Sequence, residues 1–316
     1  MSECASQKTE LHTTIANLSD HQFPKDQLQA CGKAGLFSSD SSLSPFHLFE
    51  IAAISIPTAF VLSQYRGAAE RIAKWSKDDM LRKKISSGSS FATLGISQLS
   101  TSHQHTRPTL EAQQTSNGWR LRGFAPWVTG AHHAQYFILG ALWSQKKTLF
   151  CVHKSQVHIS VATSLITLNQ CDTAQVHIDC VVDETSLLHV FEDEPATQTG
   201  SLRSIALAMG VTEQSISLIN EQAVLRPPLV ETLSQLQQEH QEHITSLSTP
   251  NIDRVKLRIR VNQLALQSAQ QALVATKGKG LIRGEKAGNL CTQALFFLVW
   301  SCPQSVQNAH LNIGKS

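Results

Sequence analysis

The spacing of apolar residues changes twice along the chain, and this order restricts the fold more than any other feature. Up to about residue 84 the apolar residues recur at helical spacing, whereas short runs rich in Val, Ile, Thr and Phe occupy residues 91–189. Helical spacing returns after residue 200. Because helices repeat every 3.6 residues and strands every 2, the pattern predicts an α+β chain with a helical start, an all-β middle and a helical end.

The first region contains three helical signals. Leu11, Ile15 and Leu18 lie at helix spacing, and Leu28 leads to a stop at residues 32–35, which contain two glycines. Residues 60–75 continue the same period. We predict an N-terminal helical segment over residues 1–88.

The middle region contains several strand-like runs and one hairpin signal. The predicted strands cover residues 119–121, 137–142, 149–152, 158–161 and 174–181. Asn117-Gly118 lies between the run 111–114 and the first of these strands, which predicts a hairpin turn with positive φ. We predict a β domain over residues 89–190.

The last region follows a linker-like stretch, residues 191–200, that is acidic at first and then contains Pro, Thr and Gly. Two apolar stripes at helical spacing then appear: Leu229, Leu233, Leu236, Ile244 and Leu247, followed by Leu257, Val261, Leu264 and Ala272. With residues 290–309 they predict a C-terminal helical bundle over residues 198–316.

Charge and cysteine usage exclude several classes of protein. The net charge is +3 and the basic residues are scattered, so we expect no nucleic-acid partner. The two most apolar stretches, residues 51–62 and 290–300, are shorter than the roughly 20 residues of a membrane span and are expected to be buried core. Seven cysteines without a C-x-x-C pair and a start without a secretory pattern predict free thiols in the cytoplasm.

Several stretches resemble, in the same order, the acyl-CoA dehydrogenase family of flavoproteins. QLQACGKAGLF at residues 27–37 is similar to an early helix of that family. FATLGISQLS at 91–100 and NGWRLRGFAPWVTGAHHAQYFILGA at 117–141 resemble its β-domain signature, which lines the flavin. Residues 172–188 resemble its last barrel strand, and 278–281 its glycine turn before the final helix. The resemblance spans nearly the whole chain and implies a middle β-barrel domain between helical parts.

The resemblance implies FAD as the cofactor and assigns three residues to it. Trp127 and Thr129 correspond to the tryptophan and threonine beside the isoalloxazine ring, and Thr93 to a second flavin contact. An aromatic face and a hydroxyl suit a planar heterocycle with polar edges.

The catalytic position departs from the family pattern. In VWSCPQSVQ at residues 299–307, Ser301 stands where the family usually has its catalytic glutamate. Gly200 stands at the alternative position of that base, so the catalytic residue is unknown. A serine hydroxyl cannot by itself do the work of a carboxylate base. Three further motifs of the family are also altered, at residues 98–100, 226–229 and 289–294.

Three functions therefore stay open. The resemblance implies a flavin-dependent oxidoreductase that acts on CH–CH groups of an acyl thioester such as an acyl-CoA. The first alternative is a flavin-dependent monooxygenase of the same superfamily, which needs no α-proton base. The second is a catalytically silent member with a binding role. The resemblance also implies a homo-oligomer that packs through its C-terminal bundles.

Other residues that suggest chemistry have simpler interpretations. The histidine pairs are His103 and His105, His132 and His133, and His240 and His243. None has Cys, Asp or Glu partners in a zinc pattern, so we predict no metal, and we interpret the last pair as a solvated helix face. Cys302 has no histidine placed by sequence to activate it, and we expect an inert thiol.

Overall fold

The computed structural model of the protein describes residues 22–37, 44–101, 109–192, 201–223 and 228–311. Several sequence predictions fall outside these ranges, namely those on Leu11, Ile15, Leu18, His103, His105, Gly200 and Arg226.

Helices flank a central sheet in the described ranges. The first four are α1 (Lys25–Lys33), α2 (Pro45–Ile54), α3 (Ile56–Trp75) and α4 (Asp79–Ser86), and the short α5 (Gln98–Thr101) lies among the strands. The C-terminal helices are α6 (Leu202–Ala223), α7 (Leu229–Leu247), α8 (Arg254–Thr276), α9 (Lys286–Val299) and α10 (Gln304–Leu311). The predicted order of helices, strands and helices is confirmed.

Eight strands form one mixed sheet. They are β1 (Ala92–Gly95), β2 (Leu110–Thr115), β3 (Gly118–Val128), β4 (Tyr136–Trp143), β5 (Lys146–His153), β6 (His158–Ile159), β7 (Ala174–Val182) and β8 (Leu187–Phe191). The order is β6-β7-β3-β2-β4-β5-β8, with β1 parallel to β4. Every predicted strand lies within or overlaps one of these, whereas β1 and β8 carried no separate strand signal.

The hairpin between β2 and β3 is confirmed, but its turn differs by one residue from the prediction. Thr115 pairs with Gly118, so Ser116 and Asn117 are the two loop residues and the glycine begins β3. Gly118 has φ +133, and a Cβ there would lie 2.1 Å from the Val182 carbonyl oxygen. Close approach of β7 therefore requires the glycine at this point.

The described residues belong to two compact units. The sheet unit contains residues 22–37, 60–101, 109–165 and 169–192, and the bundle unit contains residues 44–59, 166–168, 201–223 and 228–311. The predicted domain boundaries at 88–89 and 190–198 stay predictions.

The core of the sheet unit lies on and around β4. Five consecutive residues of this strand, Phe137 to Ala141, are buried, as expected of a strand covered on both faces. Tyr65 of α3 stacks on Phe91, with ring centroids 5.1 Å apart. The helical part of this unit thus contributes to the same core as the strands.

The core of the bundle unit forms around α6, which packs against α2, α7 and α8. A Cβ at Gly210 would lie 2.4 Å from the Ala52 Cβ and 2.7 Å from its backbone carbon. Gln214, one turn later, donates from Nε2 to the Ala52 carbonyl oxygen at 2.7 Å. A glycine and an amide on one face of α6 therefore hold the end of α2 in place.

The apolar stretch at 290–300 is only partly buried, which corrects the expectation of a core segment. Leu290, Ala294 and Phe297 are buried at helical spacing, but Leu295 and Val299 on the other face of α9 are 49% and 73% exposed. Within the described ranges, no helix has the length and apolarity needed to cross a membrane.

We predict that Gly210→Ala destabilises the protein by about 1–3 kcal/mol, because the new methyl group overlaps Ala52. In an uncrowded helix the same change stabilises by roughly 0.5–1 kcal/mol. Urea unfolding followed by circular dichroism measures the difference.

The matched control is Gly278→Ala, where nothing lies within 4 Å of the new Cβ. We expect its free energy of unfolding to stay within about 0.5 kcal/mol of the wild type. A Gly210→Ala protein as stable as this control would refute the close packing of α2 on α6.

Candidate functional site

The three residues assigned to a flavin lie where β1 and the end of β3 meet. Thr93 is fully buried in β1, and its Oγ1 donates to the Thr129 carbonyl oxygen at 2.6 Å. A hydroxyl has one proton, so Thr93 cannot at the same time donate to a ligand. Thr93 therefore braces the segment after β3, and its direct contact with a flavin stays a prediction.

Trp127 owes its exposure to an irregularity in β3. The register against β7 shifts between Ala125 and Val128, so the two residues between them leave the ladder. Pro126 is one of these, and it has no N–H to donate. The Trp127 side chain is 52% exposed, a high value for an indole. The bulge thus presents an aromatic face at the end of the strand.

The Thr129 hydroxyl can form a further hydrogen bond to a ligand. The residue is buried, and its Oγ1 has one long contact, 3.4 Å to the Thr173 Oγ1. The structure therefore brings Thr93 and Thr129 together, and it places Trp127 two residues away with its ring exposed.

The loop after Thr129 is joined to the loop before β7 by backbone hydrogen bonds. The Gly130 N–H donates to the Cys171 carbonyl oxygen at 2.8 Å, and the Ala131 N–H to that of Asp172 at 3.2 Å. From α3, the Tyr65 hydroxyl donates to the Gly130 carbonyl oxygen at 3.1 Å. Burial, with Asp172 nearby, raises the pKa of Tyr65, so its hydroxyl stays a donor. The loop is held on two sides.

A histidine and a carboxylate pair across these two loops. His132 Nδ1 lies 2.8 Å from Asp172 Oδ1, and the His132 N–H donates to Asp172 Oδ2, also at 2.8 Å. The sequence analysis missed this partner because forty residues separate the pair. An acidic residue two positions before the predicted strand 174–181 was the one signal available.

Ser301, which the resemblance aligns with a catalytic glutamate, lies in a turn between α9 and α10. Ser301 is exposed and has φ +47, a left-handed conformation. The turn rests on Arg258 of α8, whose Nη2 donates to the carbonyl oxygens of Phe297 at 2.8 Å and Trp300 at 3.3 Å. Asn262 also donates to the Phe297 carbonyl oxygen, at 3.2 Å. Two polar side chains thus take up carbonyl groups that the end of α9 leaves free.

Arg258 is a fully buried cation. Burial lowers its pKa to about 10, so it stays charged near neutral pH. Its Nε and Nη1 have no hydrogen-bond partner among the described residues. The same surroundings affect Cys302: burial raises the pKa of its thiol, and Arg258 opposes the change. The expected inert, protonated thiol fits this environment.

The histidines of α7 are buried, so the interpretation of a solvated helix face was wrong. His240 and His243 are only 3% and 1% exposed and lie on the same stripe as Leu236 and Leu247. His240 Nε2 lies 3.0 Å from Glu213 Oε2, and this close contact lowers the pKa of that carboxyl group. Spacings of three and four residues put all four on one helix face, but a count of apolar residues alone leaves the histidines out.

No metal site accompanies these histidines within the described part of the chain. There, no group of three or more His, Cys, Asp or Glu side chains is arranged to hold an ion.

The comparisons with known proteins identify the fold. No protein-family model matches the chain, and no curated protein matches its sequence significantly. Among solved structures, an electron transferring flavoprotein of Acidaminococcus fermentans matches at 12% identity with a TM-score of 0.81, over 99% of this chain and 98% of that one.

Two further solved structures, of differently named proteins, also match the chain. The glutaryl-coenzyme A dehydrogenase glutaryl-CoA complex matches at 14% identity and a TM-score of 0.79, over 99% and 95% of the two chains. PigA with FAD and proline matches at 12% identity and a TM-score of 0.77, over 99% and 97%. The chain has the acyl-CoA dehydrogenase fold, and the resemblance noted in the sequence is confirmed at the level of the fold.

We predict that Arg258→Ala destabilises the protein by about 2–4 kcal/mol, because it leaves a cavity and removes a buried donor from the Phe297 and Trp300 carbonyl groups. Urea unfolding measures the loss. The control is Arg260→Ala on the same helix. This side chain is 56% exposed, and its ion pair with Glu242 is long, with 3.6 Å between Nη2 and Oε2. We expect the control to change stability by less than about 0.5 kcal/mol. Equal stability of the two variants would contradict the capping role of Arg258.

We predict that stability falls as the pH is lowered from about 6.5 to about 4. Burial, with Arg260 and His240 nearby, lowers the pKa of His243 from 6.5 to about 4. Between these values the unfolded chain binds the proton and the folded chain does not, so protonation favours unfolding. Urea midpoints measured across this range should fall less steeply in His243→Gln than in the wild type.

The control for this pH series is His47→Gln, at an exposed residue whose ring contacts Ser44. Its slope should equal that of the wild type. A His243→Gln protein with the wild-type slope would show that burial of this imidazole does not govern the acid sensitivity.

Proposed function

We propose that this protein is a flavin-dependent oxidoreductase with FAD as its cofactor. The observation that carries the proposal is the segment Trp127–Thr129, in which an exposed indole precedes a buried threonine whose hydroxyl has only one long hydrogen bond, to Thr173. The fold supports it, since PigA with FAD has the same fold. Exposed indole surface is costly in water, and a planar ring system stacked on it would remove that cost.

The residues present fit the ring system of the cofactor. Trp127 would cover one face of a flavin, and Thr129 would donate its hydroxyl proton to a polar edge of the ring. Thr93 would keep Thr129 in place through the 2.6 Å bond to its carbonyl oxygen. When bound, a flavin supplies an acceptor for two electrons and a proton. The protein would contribute the stacking surface, the hydrogen bond and the shielding from water.

The substrate class we propose is an acyl thioester oxidised at a CH–CH group. A glutaryl-CoA dehydrogenase with its glutaryl-CoA has the same fold, which supports this class. In such an oxidation a base removes the proton from the α-carbon. Ser301 at the turn after α9 cannot act as that base, so another residue must.

Ser301 also favours a second candidate function. A flavin-dependent monooxygenase would use a bound flavin with molecular oxygen as the oxidant and needs no α-proton base, so a serine at this turn is compatible with it. The two candidates differ in their reductant. An acyl thioester reduces the flavin of a dehydrogenase, whereas a monooxygenase needs prior reduction by an external donor and then consumes oxygen.

We also propose a cytoplasmic homo-oligomer. The six described cysteines form no disulfide, as is usual in a reducing compartment. Leu295 and Val299 lie one turn apart on α9 and expose apolar surface that a second copy could cover. Light scattering on the purified protein reports the molar mass.

We predict that the purified protein binds FAD and that Trp127→Ala weakens this binding by about tenfold or more, because base or ring stacking contributes roughly 1–3 kcal/mol. Absorption spectra after gel filtration with added FAD show retention, and fluorescence titration gives the dissociation constant. Anaerobic addition of glutaryl-CoA or butyryl-CoA should then bleach the visible flavin band.

The control is Phe46→Ala, which removes another exposed aromatic ring from the described chain. It should bind FAD like the wild type. A wild-type protein that retains no FAD would overturn the enzyme proposals and leave the silent binding role. Retention without bleaching, followed by oxygen uptake after chemical reduction, would favour the monooxygenase.

A further inference from the structure

The contact between His132 and Asp172 has the geometry of an acid–base dyad. Both carboxylate oxygens are used: Oδ1 lies 2.8 Å from the ring Nδ1, and Oδ2 accepts the His132 backbone N–H at 2.8 Å. A carboxylate can only accept, so Nδ1 carries the ring proton. The neutral imidazole therefore has its lone pair on Nε2.

Nε2 is the accessible side of this ring. The His132 side chain is 40% exposed, whereas the Asp172 side chain is only 14% exposed. No described residue bonds to Nε2. A fixed tautomer with a free Nε2 and a half-sequestered carboxylate behind it is the arrangement by which proteins make imidazole a general base.

The surroundings hold the dyad rigidly. Lys154 donates from Nζ to the His132 carbonyl oxygen, and the Asp172 carbonyl oxygen accepts the Ala131 N–H. Asp172 itself has φ +51, an unfavourable backbone conformation for a residue other than glycine. Strain of this kind often accompanies a functional group that must point in one direction.

The dyad lies beside the residues assigned to the flavin. His132 follows Thr129 by three residues, and Asp172 directly precedes Thr173, whose hydroxyl lies 3.4 Å from that of Thr129. The same two loops therefore carry the threonine contact and the dyad. The two other histidine–carboxylate pairs among the described residues, His240 with Glu213 and His243 with Glu239, have imidazole rings only 3% and 1% exposed, which cannot meet a substrate.

We propose that His132 is the proton-accepting catalytic residue of this site and that Asp172 is its positioning residue. This inference rests on the proposed function, in which Ser301 leaves the oxidation of an acyl thioester without a base. His132 Nε2 takes the α-proton, and the electron pair of that C–H bond forms the new C=C bond. A bound flavin would supply the acceptor for the β-hydrogen, which leaves with its electron pair as hydride. The Nδ1 proton stays in place, and the Asp172 carboxylate balances the imidazolium charge.

The test uses a substrate that reports proton abstraction without any flavin. Nitrobenzisoxazole is flat enough to stack on Trp127. A base removes its C–H proton, its N–O bond breaks, and a coloured nitrophenolate appears. We expect the full-length protein to catalyse this reaction, His132→Gln to lower kcat/KM by about tenfold or more, and Asp172→Asn to lower kcat. The control His158→Gln, at an exposed histidine of the same unit, should leave the rate unchanged.

The pH profile separates catalysis from a purely structural role. The rate should rise with the deprotonation of one group, and His132→Gln should abolish that rise. Asp172 contacts the ring, Lys154 bonds to the His132 carbonyl oxygen, and Lys154 and Lys25 lie near the neighbouring His133. Long-range ¹H–¹⁵N spectra of the wild type should show His132 as the Nδ1–H tautomer, a measurement that needs no variant.

Three results would overturn the dyad: a His132→Gln rate equal to that of the wild type, an unchanged pH profile in that variant, or an Nε2–H tautomer in the spectra. Loss of flavin binding is a separate outcome. A protein that retains no FAD but loses proton abstraction in His132→Gln would refute the proposed function while supporting the base.

Discussion

The hydrogen bonds between the loop after β3 and the loop before β7 position every candidate functional group of the sheet unit. Gly130 and Ala131 donate to the backbone of residues 171 and 172, which keeps Thr129 opposite Thr173 and His132 opposite Asp172. Antiparallel pairing of β3 with β7 brings the two loops together. Without this pairing the Thr129 hydroxyl would have no Thr173 beside it, and the His132 imidazole would have no carboxylate partner. The function we propose thus depends on strand register.

In the bundle unit, a buried arginine stabilises the turn that contains Ser301. Arg258 and Asn262 donate to carbonyl groups at the end of α9, and these hydrogen bonds stabilise the left-handed turn at Ser301. A buried cation without a carboxylate is costly. The buried arginine offsets this cost by donating to carbonyl groups at a helix end that would otherwise have no partner.

The proposed chemistry requires roles for Thr93 and His132 that differ from those expected from the sequence. Thr93 bonds to the chain and braces Thr129, and Thr129 keeps the hydroxyl that a flavin edge could accept from. Ser301 cannot take a proton, and the dyad of His132 and Asp172 can. A fold otherwise associated with a glutamate base would then use an imidazole carried by a different segment of the chain.

The sequence by itself determined the order of helices and strands and the β2–β3 hairpin, because these depend on residues close together in the chain. The assignment of Trp127 to a flavin came from the family resemblance and stays a prediction. Only the tertiary structure decided that His243 is buried, that Arg258 caps α9 and that His132 pairs with Asp172. Periodicity reports which residues prefer to avoid water, and it does not record partners brought together across forty residues by strand register. A polar side chain on a buried helix face is therefore predicted to be exposed from the sequence. Its burial depends on the residues that pack against it and not on its own polarity.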